Sequence, residues 1–289
     1  MALTIMNEMP VNSIGAIRAD DLPSADGAAA YVSNFYSLMN QEMAEADFTP
    51  TERRSMEDPV LYYGRYLNPS TRPYFEETVI PVIGTALMWF RQQRLQRVLD
   101  LGCGLAMQSI ILAALGKTVV AVDLRPESIE LGKKRKRYYE EILGRELAIE
   151  FICGDFLKLD WSRYDGQIDG VFSMSAFSYI QPFEDTVSLV ARLSSEHARV
   201  FLFEENSANI VARMFRRRPV PEPSVVADQF GGHGFAVQSL KGTCALPKQL
   251  WVYPSANGLV RNVDQVARKS MQLAFSYALM MERQDRPDF

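Results

Sequence analysis

The sequence predicts an α/β fold built on a mostly parallel sheet. Three observations carry this expectation: apolar runs of strand length alternate with helical patterns from Arg97 to Phe203, the first run ends in Gly102-Cys103-Gly104, and the second ends in Asp123. Strand and helix alternating at this interval imply right-handed crossovers and a sheet covered on both faces. The 289 residues suffice for one continuous core with additions.

Each element follows from local pattern. Residues 1–26 mix Met, Pro, Asn, Asp and Ser without periodicity and are expected to form a flexible arm. From Ala28 to Phe48, Tyr31, Val32, Phe35, Leu38, Met39 and Met43 recur at helical spacing. A second helix is expected after Pro73, through Phe75, Val79, Ile83, Leu87 and Phe90, so that residues 27–95 form a helical cap or lid. Val98–Leu101 is then the first strand, followed by the helix Leu105–Leu115, which Gly116 closes. Strand Thr118–Val122 leads to a helix with Pro126 in its first turn and its end near Gly144. Further strands are expected at Ala148–Cys153, Ile168–Met174 and Val200–Phe203, with a helix beginning near Pro182. Beyond Glu205 the rhythm loosens into a helix through Ile210–Phe215, the run Arg216-Arg217-Arg218, and two late strands at Phe235–Cys244 and Leu273–Met280.

Composition narrows the function. The chain is 47% hydrophobic and 23% charged, and no apolar run approaches the roughly 20 residues a membrane span needs. A net charge of −4 provides no basic field for a nucleic-acid backbone, so no nucleic-acid partner is expected. Cys103, Cys153 and Cys244 lie far apart, and with only His197 and His233 there is no zinc-ligand spacing; no metal is expected. The N-terminus lacks the pattern of a secretory signal, and a reducing cytoplasm is the expected compartment. The oligomeric state, monomer or homodimer, stays open.

The chemistry concentrates where the first strand turns into a helix. Gly102 and Gly104 let backbone approach a ligand at the carboxyl edge of the sheet, where open α/β sheets bind nucleotides. Asp123 ends the next strand, where a carboxylate can accept hydrogen bonds from both ribose hydroxyls. Together these residues point to an adenosine-type cofactor. A dinucleotide fingerprint would need glycine at the position of Met107, which makes NAD(P) the weaker reading.

At Leu99-Asp100-Leu101-Gly102-Cys103-Gly104 the sequence resembles the class I, Rossmann-like S-adenosylmethionine-dependent methyltransferases. The resemblance runs from about Arg97 to Phe203 and extends to Gly154-Asp155-Phe156 after the third strand. It implies a seven-stranded, mostly parallel sheet with an antiparallel late strand, and residues 96–289 as the cofactor-binding domain, with a substrate-covering insertion near 206–270. It implies that Gly102 and Gly104 border the methionine part of S-adenosylmethionine, that Asp123 holds the ribose, and that Asp155, Phe156 and Leu124 surround the adenine. Asp100 and Ser173, on the first and fourth strands, complete the expected cofactor set. Where the family often has a third glycine, this chain has Ala106.

Other features carry duller readings beside functional ones. Lys133-Lys134-Arg135-Lys136-Arg137 reads as a solvated helix face before it reads as a phosphate grip. Cys103 reads as a small space-filler. Tyr62, Tyr63 and Tyr66 are either core packing or a substrate or cofactor lid.

A sulfonium methyl is already electrophilic, so the protein must chiefly align the acceptor and exclude water. No Asn/Asp-Pro-Pro-Tyr/Phe motif follows the fourth strand, where Ser173-Met174-Ser175-Ala176-Phe177 stands, and no double-glutamate loop follows it either, because Glu204-Glu205 comes after the fifth. What remains is a small-molecule or lipid-type acceptor between covers 28–95 and 206–270. Candidates to assist it are Glu204 and Tyr179 at the cofactor edge, ranked above His233; His197 is expected to be irrelevant. The alternatives are a non-catalytic cofactor-binding protein or an NAD(P)-dependent oxidoreductase.

Overall fold

Seven strands form one sheet in the order β3-β2-β1-β4-β5-β7-β6 in the computed structural model, which describes residues 22, 24–58, 62–92, 95–209, 220–245 and 257–284. The strands are β1 Arg97–Leu101, β2 Thr118–Asp123, β3 Ile149–Cys153, β4 Ile168–Met174, β5 Ser194–Glu205, β6 Phe235–Cys244 and β7 Ser276–Arg283. β1 to β5 pair in parallel, whereas β7 runs antiparallel to both β5 and β6. The expected mostly parallel seven-stranded sheet is therefore present. The carboxyl ends of β1 to β4 share one edge, and chain direction across the sheet reverses between β1 and β4, which opens a crevice there.

Burial alternates along each strand between the two faces. Val98, Val119, Ala121, Phe172 and Phe201 join one core cluster, while Leu99, Val120, Val122, Val171 and Leu202 join another. The first face is covered by α1 Ala25–Glu45, α5 Ile80–Phe90, α6 Met107–Ala114 and α7 Pro126–Leu143; the second by α8 Phe183–Leu193 and α9 Pro223–Gly232. Between α1 and α5 lie α2 Pro50–Glu57, α3 Tyr62–Leu67 and α4 Arg72–Tyr74, and α10 Asn257–Ala267 precedes β7.

Helix ends follow local chemistry. Ser24 caps α1 through its side chain, Thr49 and Glu52 form a reciprocal capping box on α2, and α7 runs from Pro126 to Gly144, whose φ of 63° suits a left-handed C-cap. α4 passes into α5 through a π-turn at Phe75–Val79. Pro81 has no N–H to give the carbonyl four residues back, and the π-turn directly before it absorbs that defect.

The N-terminal helices are part of this core. A Cβ at Gly84 of α5 would lie 2.7 Å from the Ala29 nitrogen of α1, so the two helices cross at backbone distance. Arg135 and Glu42 are both wholly buried, with Arg135 Nε 2.6 Å and Nη2 3.0 Å from the two carboxylate oxygens. Arg135 Nη1 also donates to the Leu105 carbonyl at 2.6 Å, and the Tyr139 hydroxyl donates to Glu42 at 3.1 Å. The basic run is thus not one solvated face. Its middle residue clamps α7 to α1 and to the turn after β1, while Lys134 pairs with Glu52, Lys133 with Glu130 and Lys136 with Glu140.

The sequence reading needs other corrections. α2, α3 and α10 were not expected, β5 begins earlier than Val200, and the last strand sits at Ser276–Arg283 rather than Leu273–Met280. The helix expected through Ile210–Phe215 and the run Arg216-Arg217-Arg218 lie outside the described residues, as does most of the arm 1–26. Among the described residues no helix is long and apolar enough to cross a membrane.

Breaking the buried pair from one side leaves an uncompensated charge. Arg135→Met or Glu42→Met should each cost about 3–5 kcal/mol in urea unfolding, and Glu42→Met/Arg135→Met should cost far less than the sum of the two. Additive losses would mean that the two groups do not depend on each other.

Candidate cofactor and acceptor site

Three alternate residues after β1 take left-handed backbone: Gly102 at φ 76°, Gly104 at φ 53° and Ala106 at φ 64°. A Cβ on Gly102 would stand 2.2 Å from the Ala176 Cβ, so this glycine is demanded by space as well as by φ. Ala106 adopts the same region with a buried methyl group, which is how the chain dispenses with a third glycine. The Gly102 and Cys103 N–H groups both donate to the Val122 carbonyl at 2.9 Å, binding the turn to the end of β2.

Asp123 completes that link. Its Oδ2 accepts the Gly104 N–H at 2.9 Å and its Oδ1 the Arg125 N–H at 2.9 Å, with Arg125 Nε 3.4 Å away. Asp123 and Leu124 after β2, Asp155 and Phe156 after β3, and Ala176 and Tyr179 after β4 line one cavity of about 460 Å³ over the crevice. Gly102 forms part of its floor. Leu124 is 67% exposed, an apolar side chain held open beside the cavity, whereas Phe156 is buried against Trp161 with ring centroids 5.1 Å apart. The Trp161 indole N–H fixes the Phe156 carbonyl at 2.7 Å. Lys158 and the Leu157 N–H hold the Asp155 carboxyl below its usual range.

Two of the expected cofactor residues lie beneath the cavity rather than in its wall. Asp100 is 2% exposed and accepts the Ser109 hydroxyl; burial, with Asp123 nearby, pushes its pKa up to about 7 despite that hydrogen bond. Ser173 is wholly buried, donating to the Leu101 carbonyl at 3.0 Å and accepting the Phe177 N–H at 3.1 Å, so it sews β1 to the segment after β4.

The assisting candidates separate by place. Glu204 is only 1% exposed, and its carboxylate accepts the N–H groups of Ala176 at 3.2 Å and Phe177 at 3.0 Å and the Ser178 hydroxyl at 2.7 Å. Burial pushes its pKa up to about 6, with these hydrogen bonds opposing. The expected acid–base contact with an acceptor is therefore not open to Glu204, which instead positions the segment bearing Ala176 and Tyr179. Tyr179 is 44% exposed and lines the cavity. His233 caps α9 and precedes β6, which runs parallel to β5, so it stands at the opposite edge of the sheet, beside Ser188 at 3.4 Å. It does not reach the cavity. Tyr66 is 4% exposed and packs at an angle against Tyr36 and edge-on against Phe75, at centroid distances of 5.2 and 5.6 Å, which is core packing; the side chains of Tyr62 and Tyr63 lie outside the described residues.

Several contributors escaped the sequence reading. Arg125 follows directly on Asp123-Leu124 and was legible as a neighbour of the acid. Ala176 and Ser178 carry no local signal, because their roles arise from contacts with Gly102 and Glu204 that only the folded sheet brings about.

The buried carboxyls set a pH dependence. Asp100 and Glu204 hold their protons more tightly folded than unfolded, so between about pH 4 and 7 the native state binds more protons and stability falls as pH rises. Asp100→Asn should flatten this fall by up to ~1.4 kcal/mol per pH unit relative to wild type, read from urea midpoints at several pH values. Parallel pH profiles for the two proteins would show that Asp100 ionises normally.

Comparison with known proteins accords with this geometry. A family model described as a methyltransferase domain matches residues 98–196, from β1 through the start of β5. The mitochondrial ubiquinone biosynthesis O-methyltransferase of Schizosaccharomyces pombe is 27% identical over 183 residues, 57% of this chain and 65% of that protein, so the match spans slightly less than two thirds of the relative. Among solved structures, an S-adenosylmethionine-dependent methyltransferase from Mesorhizobium loti superposes with a TM-score of 0.51 at 14% identity, covering 70% of this chain and 98% of the other. The [4+2]-cyclase SpnF superposes with a TM-score of 0.52 at 12% identity, covering 72% and 82%. Residues 98–196 thus match a methyltransferase domain, and the strand order and glycine turn are those of a Rossmann-like methyltransferase fold.

Proposed function

We propose that this chain transfers a methyl group from S-adenosylmethionine to a small-molecule acceptor, with a hydroxyl oxygen as the first acceptor to try. The observation that carries the reading is one cavity over the β1/β4 crevice that combines the left-handed glycine turn with the Asp123 carboxylate. The residues present fit the cofactor. Asp123 suits ribose hydroxyls, Leu124 and Phe156 offer apolar surface to an adenine, and Asp155 offers an acceptor to its amino group. Gly102 lines the cavity, and Gly104, where a Cβ would meet nothing within 4 Å, leaves room for the methionine part.

The bound cofactor supplies an electrophilic methyl group on a sulfonium sulfur. The chain's own task is to hold an acceptor in line with that bond and to keep water away. Tyr179 stands at the cavity wall where an acceptor hydroxyl would approach, and Glu204 sets its place through the backbone of residues 176–178. In this reading residues 96–289 form the catalytic domain and residues 27–95 a fixed helical layer on its sheet, while the lining of the cavity among the described residues comes from Leu101 to Gln181. The O-methyltransferase named among the relatives supports an oxygen acceptor.

A fold neighbour named as a cyclase makes cofactor binding and methyl transfer separate questions. Isothermal titration should show saturable binding of S-adenosylhomocysteine and none of NAD(P). Asp123→Ala should weaken S-adenosylhomocysteine about ten- to a hundredfold, because charge-assisted hydrogen bonds are worth ~1.5–3 kcal/mol. Transfer of labelled methyl groups to phenolic acceptors should fall in Tyr179→Phe with cofactor affinity retained. Wild-type affinity in Asp123→Ala removes the proposal.

A further inference from the structure

A second cavity, of about 700 Å³, lies on the other half of the sheet. β7 is three strand spacings from β1, about 14 Å, so this cavity is distinct from the one over the β1/β4 crevice. Its size falls within the ~300–1,000 Å³ typical of small-molecule sites. Ala278 and Met280 of β7, with Ser239 and Lys241 beside them on β6, form its floor, and Pro81 and Val82 of α5 form one wall. The facing wall comes from the end of α10 and the loop after it, through Val266 and Met271.

These walls are held in place. Glu77 of the π-turn pairs with Arg261 of α10. Asp264, 1% exposed, accepts the Ala245 N–H at 2.7 Å and pins α10 to the end of β6. The loop beyond is fixed by Asn206, whose Nδ2 donates to the Ala274 carbonyl at 2.8 Å, and by Asn209, whose Nδ2 donates to the Leu273 carbonyl at 2.8 Å. The cavity is therefore pre-formed, and the two methionines in its lining give it soft, adaptable surface.

Its charge is one-sided. Lys241, Arg268 and Lys269 line it and, among the described residues, no Asp or Glu does, in a chain where acids outnumber bases by 35 to 31. None of the three pairs with a carboxylate among the described residues; Arg268 makes only a 3.3 Å hydrogen bond to the Thr243 carbonyl. Three cations at the side of an apolar floor favour a ligand with an aliphatic body and one anionic end.

We infer that this cavity is a second ligand site, which takes a free amphiphilic anion with a medium-length aliphatic chain and a carboxylate or phosphate head. The anionic head meets Lys241, Arg268 and Lys269, and the chain lies on Val82, Ala278 and Met280. The inference does not rest on the methyl-transfer reading.

Titration calorimetry of the full chain with decanoate below its micelle concentration tests it, with decanol and decyltrimethylammonium as neutral and cationic controls. Saturable decanoate binding is expected, with either control at least tenfold weaker. Lys241→Glu/Lys269→Glu changes two exposed side chains, so its thermal midpoint should match wild type while decanoate affinity drops about tenfold or more. Vesicles of phosphatidylglycerol in phosphatidylcholine form a separate arm and should not compete with decanoate. Equal binding of decanol, unchanged affinity in the charge-reversed variant, or binding to vesicles without binding to decanoate would each overturn the inference.

Discussion

The carboxyl edge of the sheet depends on the left-handed turn that follows β1. Alternating positive φ angles at Gly102, Gly104 and Ala106 fold the chain back so that its N–H groups point at the end of β2 and its Leu105 carbonyl points at Arg135. The turn is thus held from three directions: by Val122 and Asp123 below, by Ala176 pressed against Gly102, and by the buried guanidinium behind it. Through Arg135 and Glu42 it is also tied to the N-terminal helix, 93 positions earlier in the chain. Damage to the helical layer should therefore be felt at the turn. That is a different role from a lid, which must be able to leave.

Much of this architecture was legible because local pattern and global fold agree. Val98–Leu101, Thr118–Val122 and Phe235–Cys244 announce themselves as apolar runs bounded by breakers, and all three appear as strands within a residue or two. Gly102 and Asp123 were readable for the same reason: a turn that needs φ above zero and a strand end that needs an acid permit few residues. The last strand was misplaced by three residues because the apolar run begins at Leu273, whereas Leu273 and Ala274 lie in the loop whose carbonyls Asn206 and Asn209 hold.

What could not be read was burial of charge. Arg135 sits in a run of five cations, where every rule of sequence reading predicts solvent, and only the approach of Glu42 from a distant helix makes its burial affordable. Glu204 misled in the opposite direction. A glutamate at the end of a strand on the ligand edge looks like a base, but the three N–H groups that satisfy it lie in a segment whose path the sequence does not specify. The same uncertainty explains His233, which local spacing could not assign to one edge of the sheet; the antiparallel insertion of β7 decides it.

The irregular pairing of β6 has a consequence for behaviour in solution. An open sheet ends in two strands with unsatisfied backbone, each a template for another chain. Here β3 offers only five residues, with Glu150 in their midst. β6 is twice as long, but its register slips between Val237 and Ser239 and again between Gly242 and Cys244, and Lys241 lies between the slips. Irregularities of this kind bend a strand and break its hydrogen-bonding row, so a second molecule cannot extend the sheet from this side without first straightening it. One margin is guarded by shortness and the other by crookedness, which favours a protein that resists edge-to-edge aggregation.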